Sequence, residues 1–238
     1  MNSLSDNQVS LYEEPVQEKI RKFIKIEFLL NKIYYFKGKD NKSENYISLL
    51  ALCELYEILS RSDIKSELIR EIETQNTYLQ KIKEIPQADS SKLNSVLEKQ
   101  SQLLKLIYSI EINYLDHLER DILFKTILKN CFTQLQPASI DFWLSRDILN
   151  RETQIDLWLE PLIFIKRSID FILEVIRKSG RFEDRVAEKG FFVEKLDPKK
   201  NILLVRVTLT SDLYYYPQIS VGKQRLTIMF MTKDDKNN

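Results

Sequence analysis

Gly190-Phe191-Phe192-Val193-Glu194-Lys195-Leu196 is followed by the turn Asp197-Pro198-Lys199-Lys200-Asn201 and then by Leu203-Leu204-Val205-Arg206-Val207-Thr208-Leu209-Thr210. Here the apolar period of the chain changes from helical to two. Phe191, Val193 and Lys195 alternate with Phe192, Glu194 and Leu196, and Leu203, Val205, Val207 and Leu209 share one side of the next segment. Leu226, Ile228 and Phe230 repeat the alternation beyond a break at Tyr216-Pro217. Three strands in sequence predict a small antiparallel sheet packed by one face on helices.

Before this stretch the pattern is helical. From Thr153 to Lys178 the residues Ile155, Trp158, Leu162, Ile165, Ile169, Ile172 and Ile176 form one stripe. Pro161 is expected to kink or split that helix, and Gly180 to stop it. Further back, Pro15 suits a first helical position, and Val16, Ile20, Phe23, Leu30 and Ile33 predict an amphipathic helix over 15–36. Leu11-Tyr12 is expected to add a short strand ahead of it. A second helix is predicted over 44–60, and a third capped by Ser62 or Asp63 that ends at Pro86. Ser90 or Ser91 opens a fourth, whose Leu93, Leu97, Leu104 and Ile107 approach a seven-residue rhythm suited to a bundle seam or one wall of a dimer contact. Helical pattern resumes from Tyr114 to Lys129, breaks at Gln136-Pro137, and includes a short segment with Trp143.

The expected fold is therefore α+β: an N-terminal helical bundle followed by a small antiparallel β-sheet domain. The expected organisation is a disordered stretch at 1–10, a mainly helical domain over 11–180, a β-rich domain over 181–232, and a tail at 233–238.

Composition narrows the function classes. The chain has 238 residues, 36 basic and 35 acidic, with a formal net charge of +1. A nucleic-acid binder usually carries a clearly basic domain, and this chain does not. No apolar run approaches the length that spans a bilayer, and the polar Met1–Gln8 lacks a signal-peptide core, so a cytoplasmic protein is expected. Cys53 and Cys131 stand far apart and fit small buried apolar residues. The glycines Gly38, Gly180, Gly190 and Gly222 stand singly and form no phosphate-binding loop. His117 is the only histidine, in a charge-crowded helix where a solvated position is expected. No Cys or His pair has zinc-ligand spacing, and no serine sits in a nucleophile elbow. Tyr214-Tyr215-Tyr216 with Phe191-Phe192 could stack bases, but packing is the better account. The expectation is a non-enzymatic protein with no cofactor and no metal.

One local feature reads as a binding site. Lys223 and Arg225 lie two apart, so on a strand they share a face with Thr227, opposite Leu226, Ile228 and Phe230.

Several blocks together carry a family resemblance: Tyr12 to Leu30, Arg61-Ser62-Asp63-Ile64-Lys65-Ser66-Glu67-Leu68, Gly190-Phe191-Phe192, and Tyr216 to Phe230. In this order and spacing the chain resembles the ZapD family of bacterial cell-division proteins. The resemblance implies a homodimer that binds the acidic and apolar C-terminal tail of the tubulin-like GTPase FtsZ and cross-links its filaments at the midcell division ring. It also implies basic tail-binding residues, which fall on Lys25, Arg61 and Arg225 here; Lys223 joins them by the same-face argument. The sequence departs from the family at Asn130–Pro137, which lacks a Pro-Gly-Gly loop, at Asp141 in place of a histidine, and at Met229 in place of an arginine. It also stops at Asn238, short of a last strand expected from relatives. The competing reading is a helical adaptor or regulatory protein with a different protein partner.

Overall fold

The computed structural model describes residues 9–86, 89–111, 113–130, 138–197, 199–210, 215–222 and 224–232. Lys223, Cys131, Pro198, the break at Gln136-Pro137, the variant loop up to Pro137 and the stretches 1–8 and 233–238 lie outside the described residues.

The elements run β1 (Val9–Pro15), α1 (Glu18–Phe36), α2 (Lys42–Ser60), α3 (Ile64–Lys83), α4 (Ser90–Ser109), α5 (Asp116–Arg120), α6 (Ile122–Asn130), α7 (Ala138–Ser145), α8 (Ile148–Leu159), a 3-10 turn (Glu160–Leu162) and α9 (Ile163–Ser179). The strands β2 (Phe191–Lys195), β3 (Leu204–Thr210), β4 (Tyr215–Val221) and β5 (Arg225–Thr232) complete the order. The chain is thus mostly helical, with helices followed by a small antiparallel sheet region. It divides into two compact units, residues 23–174 and residues 1–22 with 175–238.

The helical unit is built on amphipathic stripes. α1 buries Phe23, Ile26, Leu29, Leu30 and Ile33, and α2 buries Leu49, Leu52, Cys53 and Leu55. Each large side chain so buried stabilises by about 1.5–3 kcal/mol. Asp63 caps α3 by accepting from the Ser66 backbone N–H at 3.2 Å. Asp89 caps α4 and Asp147 caps α8 in the same way. The seven-residue rhythm of α4 is only half covered: Ile107 is buried, whereas Leu93, Leu97 and Leu104 remain partly exposed.

The helical pattern over Tyr114–Lys129 forms two helices rather than one. Asp121 separates them, because its carboxylate accepts from the Phe124 N–H (2.8 Å) and so opens α6 as a new helix. The same carboxylate takes the indole N–H of Trp158 at 2.8 Å. Trp158 stacks on Trp143 at 6.5 Å between ring centres and meets the edge of Phe124 at 5.4 Å. His117 is not a solvated position. It is half-buried, with Nε2 2.9 Å from the Trp158 carbonyl oxygen and Nδ1 3.0 Å from that of Tyr114. Pro161 splits the long helix as expected, into α8 and α9 with the 3-10 turn between them.

The strand-bearing unit corrects the expected single sheet of three strands. β3 leaves the other strands and pairs with β1, antiparallel from Val9↔Thr210 to Pro15↔Leu204. A separate sheet has the order β2-β5-β4. Pro15 ends β1 rather than starting α1, and the Val16 N–H continues the ladder to the Leu203 carbonyl at 3.0 Å. The expected break at Tyr216-Pro217 is itself a strand, β4, with Pro217 buried opposite Phe230. Proline is tolerated there because β4 is an edge strand and needs one ladder fewer. Lys189 (φ 51°) and Gly190 (φ 78°) form the turn into β2, closed by the Phe191 N–H on the Glu188 carbonyl at 3.0 Å. Two consecutive positive φ values make this a turn of the mirror-image type, for which glycine is suited.

Candidate functional site: exposed cations on two units

Strand alternation fixes the direction of Arg225. As the first residue of β5 it is exposed, while Leu226 and Ile228 are buried on the opposite face. Its cross-strand partner is Lys195 of β2. Two cations therefore stand side by side on the outer face, and neither pairs with a carboxylate among the described residues. Phe191 and Val193 share this face across from Met229 and Thr227, so an apolar strip adjoins the cationic pair. Met229 takes part in that strip.

Lys25 and Arg61 belong to the helical unit. Lys25 projects from α1, with Nζ 2.7 Å from Glu54 Oε1 of α2. Arg61 succeeds the last residue of α2 as its C-cap and pairs with Glu57 one turn back. Glu54 and Glu57 are three apart on one helix and so lie on the same side of α2. Their two cationic partners are thereby seated along one helix face. Such exposed pairs contribute about 0–1 kcal/mol, so a ligand carboxylate can exchange for either glutamate at small cost.

Sequence reasoning passed over Lys195. The signal was present: Lys195 has the parity of Phe191 and Val193, but only the register of β2 against β5 places it beside Arg225. Asp141 is exposed on α7, two residues before the buried Trp143. No group of three or more His, Cys, Asp or Glu side chains suited to hold a metal occurs among the described residues. No described helix is long and apolar enough to cross a membrane.

A family model described as "ZapD: Cell division protein" matches residues 24–229. Proteins named Cell division protein ZapD are similar to this chain over nearly all of their length. That of Methylococcus capsulatus is 30% identical, over 95% of this chain and 90% of its own. That of Azoarcus sp. (strain BH72) is 28% identical, over 92% of this chain and 89% of its own. That of Coxiella burnetii is 25% identical, over 95% and 90%.

Proposed function

Because the chain belongs to the ZapD family of cell-division proteins, we propose that its role in division is to bind the C-terminal tail of FtsZ and bundle FtsZ filaments. The reading is of a non-enzymatic, cytoplasmic homodimer acting at the midcell ring. Lys25, Arg61, Lys223 and Arg225 contact the tail carboxylates, and Lys195 joins them beside Arg225. The observation that carries this reading is the Lys195–Arg225 pair, two exposed cations opposite each other with no carboxylate partner among the described residues. An anionic segment supplies the missing counter-charge. Arginine adds a two-pronged grip on a carboxylate, whereas the lysines act as point charges.

Bundling follows from bivalency. A two-fold dimer presents two identical tail sites, so one dimer holds two filaments. Each contact can be weak, since filaments display many tails and the second binding event is effectively intramolecular. The half-exposed leucines of α4 support a contact between copies.

Fluorescence anisotropy with a labelled peptide copying the FtsZ C-terminal tail, at two salt concentrations, tests the site. The expected result is saturable binding that weakens with salt. A folded, dimeric protein that leaves the peptide unbound overturns the reading.

A further inference from the structure

α1 has an outer face as regular as its inner one. Lys25, Phe28, Lys32 and Tyr35 succeed one another at steps of three and four residues, and Lys39 follows in the turn past the helix end. At 3.6 residues per turn the helical positions fall within an arc of roughly 80°. Phe28 is 56% exposed and Tyr35 64%, on a helix whose other side is sealed in the core. The cations are organised around the rings. Lys25 and Lys32 each place Nζ 5.7 Å from the centre of Phe28, and Lys39 places Nζ 4.6 Å from that of Tyr35. Tyr35 is held in turn by an edge contact with Phe36 at 4.8 Å. Lys25 shares its charge with Glu54, but Lys32 and Lys39 have no carboxylate partner among the described residues.

We infer that this outer stripe of α1 is the track along which the acidic FtsZ tail docks as a helix, with Phe28 and Tyr35 as its apolar anchors; the inference rests on the tail-binding reading. The spacing selects the conformation. Alternating steps of three and four are those of a helix-pairing seam. Lys25 and Lys32 are seven residues apart, about 10 Å along the helix axis. A partner helix with carboxylates seven residues apart and apolar side chains between them stays in step over the whole stripe. An extended strand repeats its side chains every ~7 Å on one face and drifts out of step. The charge sign excludes a basic partner, and the two exposed rings give apolar residues of the segment a place to bury.

Four proteins decide the matter in the tail-peptide anisotropy assay: the wild type, Phe28→Ala/Tyr35→Ala, Lys32→Glu/Lys39→Glu, and Tyr78→Ala as an exposed aromatic off the stripe. Circular dichroism checks that each is folded. The expected result is a loss of affinity of about tenfold or more for both double variants and none for Tyr78→Ala. Carbon chemical shifts of the bound, isotope-labelled peptide are expected to be helical. Undiminished binding by the double variants overturns the track while leaving the tail reading intact. A wild type that does not bind the peptide overturns both. Extended shifts overturn the helical mode of docking. Loss of the dimer in sedimentation by Phe28→Ala/Tyr35→Ala assigns the stripe to a second copy of the chain and overturns the inference. So does tighter binding of a labelled single-stranded oligonucleotide than of the peptide.

Discussion

Glu13 and Arg206 face each other in register across β1 and β3, with Arg206 Nε 3.2 Å from Glu13 Oε1. Arg177 at the end of α9 grips the same carboxylate, donating from Nε at 3.0 Å and from Nη2 at 2.8 Å to its two oxygens. Arg206 also donates to the Arg177 carbonyl and lies over the Phe182 ring at 5.0 Å. All three charged side chains are more than two-thirds buried.

Removing the shared carboxylate leaves two largely buried guanidinium groups without it. Glu13→Gln is expected to destabilise by about 1–3 kcal/mol, because a charged hydrogen-bonded pair is broken on one side only. A urea transition by circular dichroism at neutral pH measures it. An unchanged midpoint would show the cluster to be energetically idle.

Arg225→Glu is expected to abolish FtsZ bundling while leaving the folded dimer intact, because the residue is exposed and its neighbours Leu226 and Ile228 keep the core. Sedimentation of the variant with FtsZ reads the outcome, and unchanged bundling removes Arg225 from the site.

Asp63 gives an acid limit to helix α3. Hydrogen bonds from the Ser66 side chain and backbone hold its carboxyl below the ordinary aspartate range. A depressed folded-state value contributes stability that is present above the unfolded value and lost as pH falls through the folded one. Asp63→Ala should therefore cost about 1 kcal/mol at neutral pH and progressively less as the pH is taken below the ordinary aspartate range. Paired melting curves at neutral and acidic pH test this; a constant difference would refute it.

Tyr114 gives an alkaline signature. Burial, with the Asp63 charge adding to it, pushes its phenol up to about 12. Its ring meets Phe164 edge-on at 5.3 Å. A raised folded-state value means that stability is complete below the unfolded value near pH 10 and declines as pH rises toward 12. The absorbance difference between wild type and Tyr114→Phe at the tyrosinate band should stay flat through pH 10 and rise only later. A rise at pH 10 would place the phenol in water.

Local pattern made much of this molecule legible, and non-local pairing hid the rest. The period of two over β2, β3 and β5 is a property of neighbouring residues, so the outward direction of Arg225 could be read directly. β4 was masked by Pro217, whose missing N–H is harmless only because the strand lies at a sheet edge. Pro15 reads as a helix opener until the β1–β3 ladder shows that it closes a strand instead. The departure of β3 to its own sheet depends on Val9–Pro15, a strand that sequence hinted at only through Leu11-Tyr12. His117 looks solvated among its charged neighbours, yet the carbonyl it meets belongs to Trp158 in another helix. At the candidate site, Lys25 and Arg61 could be named, but not that Glu54 and Glu57 already hold them.

The strand-bearing unit closes on residues from both ends of the sequence: Gln17 bonds Asn201 at 2.6 Å across 184 positions. On the ribosome, β1 emerges first and must wait for most of the chain before β3 exists to receive it. Until then its backbone edge is open, and the loop to be closed is among the longest this polypeptide can make. The helical unit, by contrast, is one continuous stretch that can fold as it is made. Synthesis should therefore yield a helical intermediate first, with the sheet partner arriving last and a window in which chaperones are most needed.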